Sequence, residues 1–375
     1  MKKYISWILI GCIFFSLFLF PANAAPEITV PSALLMDQAT GTVLFEHNAD
    51  EQRAPASVTK VMTMLLIIEA VKEGKLSWED PISVSAEAAG MGGSQVYLKE
   101  GETMTVQEML KCIAVVSAND CCVAMAEAIA GSNASFIEKM NARAAELGMT
   151  NTHFNSCTGL DTEDHYTTAR DIAIMSRELM SHQEITQYTT IWMDTVRNGA
   201  FSLSNTNRLV RYYEGATGLK TGFTATAGYC LSATATRNSL SLIAVVLGGE
   251  TSDQRFENAK ALLNYGFSQY GLYQEALPAP APVTVIKGLE PTVQPILKET
   301  PSFLIPKGSE QQVTYTVTLP ETVLAPVEPN QKLGEVTYTL NGEVLGTCPL
   351  FAEKEVKRVT FGHLFSRFIQ YFFTV

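Results

Sequence analysis

Histidine is scarce in this 375-residue sequence, and its few copies are scattered. The five histidines do not stand at the short spacings that ligands of a zinc site require. They are His47, His153, His165, His182 and His363. We therefore expect neither a metal ion nor another cofactor.

Runs of basic residues are also missing. Lysine and arginine together number 27 against 38 aspartates and glutamates, and the formal net charge is −11. An acidic chain without a basic patch is a poor partner for the phosphates of nucleic acids. We expect no nucleic-acid partner.

Long apolar runs are confined to the first two dozen residues. Lys2 and Lys3 precede an almost wholly apolar stretch at residues 5–20, and Pro21 and Ala22-Asn23-Ala24 follow it. A basic start, an apolar middle and a small-x-small end are typical of a secretory signal peptide. We predict a signal at residues 1–24, cleaved after Ala24 or Ala25, with an uncleaved membrane anchor as the alternative. The mature protein then works outside the cytoplasmic membrane.

Cysteine shows no regular scaffold spacing. Leu9-Ile10-Gly11-Cys12 resembles a lipoprotein cleavage box, but the apolar run continues well past it, so Cys12 is interpreted as an ordinary signal residue. Cleavage removes Cys12 and two positive charges, which leaves six cysteines and a net charge of −13. An exported chain with six cysteines can carry disulfides. Their pairing stays open.

The residues from 25 to about 275 mix strand and helix patterns. Short apolar runs at both ends read as strands, and longer runs between them read as helices. The predicted strands are 33–36, 42–45, 229–235 and 240–247, and the predicted helices are 58–71, 106–115, 121–129, 135–147 and 253–265. This order suggests one sheet built from both ends of the region, with a helical lobe inserted.

The pattern changes after residue 275. Residues 276–282 form a semi-rigid Pro/Ala linker. Alternating residues then predict a small β domain at 283–353, in which Asn341-Gly342 is a strong hairpin signal.

The last segment, residues 354–375, has aromatic and aliphatic residues at helical spacing with polar residues between them. It is too short and too polar on one side to span a bilayer. We interpret it as an amphipathic helix that lies in a membrane interface, with packing against the β domain as the alternative.

Ser57-Val58-Thr59-Lys60 is the first motif that can carry chemistry. Ser57 opens an apolar helix, and Lys60 lies three residues later on the same face. A lysine desolvated by an apolar helix has a lowered pKa and can take the proton from the serine hydroxyl. Alone the motif is weak, because a capping serine followed by a surface lysine is common.

Two further motifs follow in order. Ser117-Ala118-Asn119 lies in a loop between two predicted helices, where turn and capping chemistry is the ordinary explanation. Lys220-Thr221-Gly222 precedes Phe223 at the start of the late strands, where glycine lets a substrate approach the backbone.

A serine with its lysine, a Ser-x-Asn loop and a Lys-Thr-Gly strand, in this order, form the signature of penicillin-recognising serine enzymes. The sequence resembles the low-molecular-mass penicillin-binding proteins of the D-alanyl-D-alanine carboxypeptidase family over nearly its whole length. Segments that share the resemblance include 54–57, 136–141, 159–161, 168–171, 205–209, 227–229 and 262–267. The resemblance implies an α/β (α+β) fold with an antiparallel sheet and a helical lobe, followed by a small all-β domain and a C-terminal amphipathic helix.

The resemblance also implies the site. Ser57 would be the nucleophile, Lys60 its base and Ser117 the proton relay to the leaving D-alanine. The substrate-binding residues would be Asn119, Lys220, Thr221, Gly222, Phe223 and Arg255. Phe223 would contribute a backbone N–H to the oxyanion hole, and Arg255 is equally well explained as a surface residue of its helix. The implied partners are the D-Ala-D-Ala end of a peptidoglycan stem peptide, β-lactams as covalent inhibitors and the outer face of the bacterial cell membrane.

Two rival functions share parts of this pattern. A β-lactamase would use the same acylating residues, but no Glu-x-x-Leu-Asn stands between the second and third motifs. A penicillin-binding sensor would keep the fold without turnover, yet the residues that an inactive relative typically loses are all present.

Overall fold

The computed structural model describes residues 25–373 and, among these, the side chains of all but Arg367 and residues 371–373. The predicted signal peptide at 1–24, with Cys12, lies outside the described residues.

The helices and strands alternate along the first two thirds of the chain, and strands dominate the last third. The strands are β1 (Ser32–Asp37), β2 (Val43–His47), β3 (Pro81–Ser83), β4 (Thr103–Thr105), β5 (Met193–Val196), β6 (Phe201–Ser204), β7 (Ala216–Thr224), β8 (Gly228–Arg237), β9 (Leu240–Gly249), β10 (Tyr270–Tyr273), β11 (Val283–Ile286), β12 (Thr292–Val293), β13 (Pro295–Ile296), β14 (Phe303–Pro306), β15 (Val313–Thr318), β16 (Thr322–Leu324), β17 (Lys332–Leu340) and β18 (Glu343–Ala352). The helices are α1 (Lys60–Lys72), α2 (Ala86–Ala89), α3 (Val106–Val116), α4 (Asn119–Ala130), α5 (Asn133–Glu146), α6 (Ala169–Ser181), α7 (Thr186–Thr189), α8 (Leu209–Tyr212), α9 (Ser252–Gln269) and α10 (Phe361–Phe373).

A five-stranded antiparallel sheet organises the first region, in the order β2-β1-β9-β8-β7. Strands from the two ends of the region meet where β1 pairs with β9. This arrangement confirms the predicted sheet with a helical lobe inserted. It leaves β7, which carries Lys220-Thr221-Gly222, at the edge of the sheet.

Helices cover both faces of this sheet. Successive residues of a strand point to opposite faces, so Leu242 and Val246 of β9 pack with α9, while Ile243 and Val245 pack in the core on the side of α1 and α6. Burial on both faces explains why β9 reads as an almost continuous apolar run. The predicted buried helix is α1, most of whose side chains are enclosed.

The last third of the chain is a β region of small sheets. β17 and β18 form the longest hairpin, and its turn residues Asn341 and Gly342 both have positive φ, as a two-residue turn of this kind requires. β10 at the end of the first region pairs with β14, which joins the two regions by a strand ladder.

Helix α10 occupies residues 361–373 within the predicted segment 354–375. Residues 356 and 358 still form bridges to the β region, which accounts for the later helix start. The described residues contain no helix that is both long and apolar enough to cross a membrane.

Candidate active site

Ser57 lies in a 3-10 turn at Ala56–Thr59 that leads directly into α1. Ala56 before it has a φ of +48°, a left-handed conformation that is uncommon for a residue with a Cβ. The hydroxyl of Thr59 donates to the carbonyl of Ala56 at 2.8 Å and also contacts Nε2 of His165 at 2.8 Å. The buried His165 therefore stabilises the turn that carries Ser57 through its contact with Thr59.

Lys60 is fully buried at the start of α1. Its Nζ donates to Oγ of Ser57 at 2.8 Å and to the carbonyl of Thr158 at 2.6 Å. Burial lowers the pKa of Lys60 from its usual 10.5, because the enclosed site disfavours the ammonium. A lysine in this state can exchange a proton with Ser57.

Ser117 ends α3 in a left-handed conformation with a φ of +65°. Its Oγ is buried and has no hydrogen-bond partner, which is unusual for a polar atom shielded from water. Asn119, predicted in a loop, is instead the first residue of α4. Its Nδ2 donates to the carbonyl of Gly92 at 2.7 Å, and its Oδ1 is buried without a partner. Both motif side chains thus keep an unused hydrogen-bonding atom.

Lys220 is buried within β7, and its Nζ donates to the carbonyl of Thr221 at 2.9 Å. Burial, and then the positive charge of Lys60, hold the pKa of Lys220 well below 10.5. The hydroxyl of Thr221 contacts that of Thr206 at 2.7 Å. The Thr206 N–H donates to the carbonyl of Val115, so this contact ties the third motif to the end of the helix that carries Ser117.

Gly222 brings β7 close to Ser57. A Cβ at this position would lie 3.0 Å from the amide nitrogen of Ser57 and 2.8 Å from the carbonyl of Pro55, so only glycine allows the approach. Phe223, the next residue, is about half exposed (54%), and its ring packs against Tyr229 in a tilted arrangement with ring centroids 4.3 Å apart.

Arg255 is not a surface residue of α9, because only 6% of it is exposed. Its guanidinium donates to the carbonyl of Gly222 at 3.1 Å, while its Nε is buried without a partner. Burial lowers its pKa to about 10. The structure therefore brings Arg255 to the strand that carries the third motif.

Several residues of this site escaped the sequence reasoning. The carbonyl of Thr158 and the ring of His165 come from the segment between α5 and α6, about a hundred residues from Ser57. Residues 159–161, one of the segments that share the family resemblance, were the sequence signal for this region. The structure shows why a glycine stands at position 159. A Cβ there would overlap the carbonyl oxygen of Ala56.

The six cysteines of the described chain are free thiols. Two of them, Cys122 and Cys157, lie close enough to Lys60 for their charges to interact, and burial raises the pKa of the Cys122 thiol to about 12. They are neutral neighbours of the lysine at physiological pH.

One cluster of possible metal ligands occurs in the described residues, formed by Glu69, Glu178 and His182. Arg143 already lies between the two carboxylates, donating to Glu69 at 2.8 Å and to Glu178 at 2.7 Å. The cluster is explained as an ion-pair network. The absence of a metal stays a prediction.

Comparisons with known proteins agree on one family. A family model described as D-alanyl-D-alanine carboxypeptidase matches residues 21–251, and a model of the penicillin-binding protein 5 C-terminal domain matches residues 268–358. The chain is 43% identical over 337 residues to the D-alanyl-D-alanine carboxypeptidase DacF of Bacillus subtilis, which covers 88% of this chain and 86% of that relative. It is 36% identical over 344 residues to DacC of Escherichia coli, covering 89% and 86%.

Solved structures show the same likeness. Penicillin-binding protein 5 of Haemophilus influenzae has a TM-score of 0.73 at 30% identity and covers 89% of this chain and 99% of its own. Penicillin-binding protein D2 of Listeria monocytogenes, solved in an ampicillin-bound form, has a TM-score of 0.59 at 32% identity and covers 64% of this chain and 98% of its own.

Proposed function

Because the chain belongs to the D-alanyl-D-alanine carboxypeptidase family, we propose that it removes the terminal D-alanine from peptidoglycan stem pentapeptides through an acyl-enzyme on Ser57. The hydrogen bond between Lys60 and Ser57 carries this proposal, since it joins a buried base to a hydroxyl at 2.8 Å.

In the first half of the reaction, Ser57 Oγ attacks the carbonyl carbon of the penultimate D-alanine. The neutral amine of Lys60 accepts the hydroxyl proton, helped by the nearby charge of Lys220. The backbone N–H groups of Ser57 and Phe223 form the oxyanion hole. The place of Phe223 on an edge strand supports this role, because an edge strand leaves backbone groups free for a ligand.

As the C–N bond breaks, Ser117 relays the proton from Lys60 to the amine of the departing D-alanine, and Asn119 binds a substrate amide. The unpartnered Ser117 Oγ and Asn119 Oδ1 support these roles, because buried polar atoms without partners are expected where a substrate completes the hydrogen bonding. Water finally hydrolyses the ester on Ser57 and restores the free enzyme.

The terminal carboxylate of the substrate binds to Lys220 and Thr221 beside Gly222, with Arg255 as a further contact. Three observations support this arrangement: the buried cation of Lys220, the hydroxyl of Thr221 next to it on β7 and the free Nε of Arg255. A carboxylate is the natural partner for a cluster of cations shielded from water.

The placement of the protein follows the same proposal. Residues 1–24 direct export, residues 25–275 carry the enzyme, 276–282 link it to the β domain at 283–353, and 354–375 anchor it to the outer face of the cell membrane as a peripheral helix. The exposed apolar side chains of α10 support the anchor. They are Phe361, Leu364, Phe365, Phe368 and Ile369.

β-Lactams acylate Ser57 in this proposal, because they present a strained amide and a carboxylate to the same groups. The ampicillin-bound structure of the Listeria relative supports this expectation.

The test uses the mature protein without its last eighteen residues and diacetyl-lysyl-D-alanyl-D-alanine as substrate. Free D-alanine is measured for the wild type and for Ser57→Ala, and covalent labelling by a fluorescent penicillin is measured in parallel. We expect D-alanine release and labelling in the wild type and neither in the variant. Labelling without release from the folded wild type would contradict the carboxypeptidase and leave a penicillin-binding sensor or a strict transpeptidase.

A further inference from the structure

Asp120 follows the second motif directly and lies in the first turn of α4, with no exposed surface. Its carboxylate accepts backbone N–H groups from Val96 at 3.0 Å, Leu98 at 3.1 Å and Cys121 at 3.0 Å. No lysine or arginine within the described chain forms an ion pair with it. In the absence of a cation, these three backbone N–H groups stabilise the buried carboxylate.

The Val96 and Leu98 N–H groups belong to a loop at residues 92–98, which we call the 92–98 loop. This loop also holds Asn119: the Asn119 N–H donates to the carbonyl of Ser94 at 2.7 Å, and Asn119 Nδ2 donates to the carbonyl of Gly92 at 2.7 Å. These contacts use the backbone N–H of Asn119 and one of its two Nδ2 hydrogens, while Oδ1 has no partner. Asp120 and Asn119 are therefore both hydrogen-bonded to the 92–98 loop.

Arg197 holds the same loop from its outer side. It donates to the carbonyl of Val96 at 2.8 Å and to that of Tyr97 at 3.3 Å, and its Nε pairs with Glu102 at 2.6 Å. Two side chains from different elements thus fix the 92–98 loop. Of the two, only Asp120 lies near enough to Lys60 for its charge to act on the lysine.

The charge of Asp120 acts on Lys60. The titratable groups that face Lys60 are Cys122 and Asp120 from α4, Cys157 from the segment before Thr158 and Lys220 from β7. Burial has the largest effect and lowers the pKa of Lys60; Cys122, Cys157 and then the Asp120 carboxylate act against it by favouring the ammonium form.

We propose that Asp120 is a positioning residue for acylation: it holds the 92–98 loop so that Asn119 Oδ1 faces the substrate, and it places a buried negative charge close to Lys60. This inference rests on the proposed role of Ser57 as the nucleophile. It does not depend on whether the acyl-enzyme is later hydrolysed.

The test compares Asp120→Asn with Asp171→Asn in the full mature chain. Asp171 is a matched control, because it is also buried in the first turn of a helix and also accepts a loop N–H, from Asn151 at 2.9 Å, but it lies on α6 outside the motifs. The rate constant for acylation by a fluorescent penicillin is measured from pH 5 to pH 10, and melting temperatures are recorded for each protein.

We expect Asp120→Asn to lower the acylation rate constant by about ten- to a hundredfold. The NH2 group of the new asparagine would face the loop N–H groups, move the loop and so displace Asn119. We also expect the acid limb of the pH profile to move to lower pH, since removal of the negative charge makes Lys60 lose its proton more easily. Asp171→Asn should lower the melting temperature without either effect.

Arg197→Gln separates the two parts of the proposal. It releases the outer side of the loop while the Asp120 charge remains, so acylation should slow and the acid limb should not move to lower pH. This variant also tests the role of the loop if Asp120→Asn does not fold.

Acylation within twofold of wild type in either folded variant, or an unmoved acid limb in Asp120→Asn, would overturn the proposal. If the wild type is acylated but releases no D-alanine, the proposed carboxypeptidase function is contradicted. The role of Asp120 in acylation can still be tested.

Discussion

Lys60 shows how burial changes the properties of a side chain in the way that its proposed role requires. In water a lysine is protonated at neutral pH and cannot accept a proton from a hydroxyl. Within α1 its burial lowers its pKa, and its contact with Ser57 places the amine at hydrogen-bonding distance.

Lys60→Arg tests this role, because arginine keeps the positive charge but does not give it up. We expect the rate of acylation by a fluorescent penicillin to fall by about a thousandfold, in line with the loss of a general base. If the lysine supplied only positive charge, the variant would stay within tenfold of wild type. For the wild type, acylation should rise with pH through a limb below 10.5, since the free amine is the active form.

His165 links the nucleophile turn to the acid stability of the protein. Its Nδ1 accepts the N–H of Asn155 at 2.9 Å and its Nε2 contacts the Thr59 hydroxyl. A proton on Nδ1 would therefore face the N–H of Asn155, and two hydrogen-bond donors would point at each other. Burial lowers its pKa from 6.5 to about 4. The unfolded chain therefore binds a proton between pH 6.5 and 4 where the folded chain does not, and stability falls as pH falls through this window.

We expect the wild type to lose about 2 kcal/mol more unfolding free energy than His165→Gln between pH 7 and pH 4.5. Urea unfolding followed by circular dichroism at both pH values measures the difference, in which the titration of other groups cancels. Equal losses in the two proteins would show that His165 does not titrate differently on folding.

At the scale of elements, close backbone approach assembles the site. The segment between α5 and α6 meets the Ser57 turn at Gly159, and β7 meets it at Gly222. Thr224 after β7's motif donates to Asp161 at 2.7 Å, which joins the same segment to the strand. Glycine at both contacts leaves room that any side chain would fill.

Gly159→Ala should destabilise the protein by about 3 kcal/mol or more and slow acylation, because its Cβ would overlap the Ala56 carbonyl and shift Ser57. Gly148→Ala is the matched control. Its φ of +77° is close to the +81° of Gly159, but nothing lies within 4 Å of its Cβ position. We expect a cost of about 1 kcal/mol from strain alone and an unchanged acylation rate. Thermal melts measure the stability of both variants, and penicillin labelling measures their acylation. Equal effects of the two substitutions would show that the close approach of Gly159 to Ala56 is not the cause.

At the scale of the whole molecule, the β region lies between the first region and α10 along the chain. β10 and β14 pair across the junction, so the β region is attached by a strand ladder as well as by the linker. If α10 binds a membrane as proposed, the β region is the part of the chain that connects it to the enzyme.

Phe365→Glu should weaken binding of the mature protein to phosphatidylglycerol vesicles by about tenfold or more, because one buried aromatic side chain contributes about 2 kcal/mol. Ser366→Glu makes a similar change of charge at a position that the helical spacing puts on the polar face, and it should have a smaller effect. Co-sedimentation with the vesicles measures both variants. Equal binding by wild type and Phe365→Glu would favour α10 as a helix that packs on protein.

The sequence by itself determined the three motifs, the family resemblance, the main helices and the two ends of the sheet, because these depend on residue type and on short-range periodicity. Ser57 and Lys60 are three residues apart, and a helical turn brings such residues together in any fold. The Asn341-Gly342 hairpin is equally local.

Only the tertiary structure decided which distant residues surround these motifs. Thr158, His165 and Asp120 carry no pattern of their own, and the contacts that give them meaning join segments about a hundred residues apart or pass through a loop without regular structure. The burial of Arg255 was equally hidden, since periodicity places it on α9 but does not say that its guanidinium reaches the Gly222 carbonyl. Spacing along the chain determines local geometry, whereas burial and hydrogen-bond partners depend on how the elements pack.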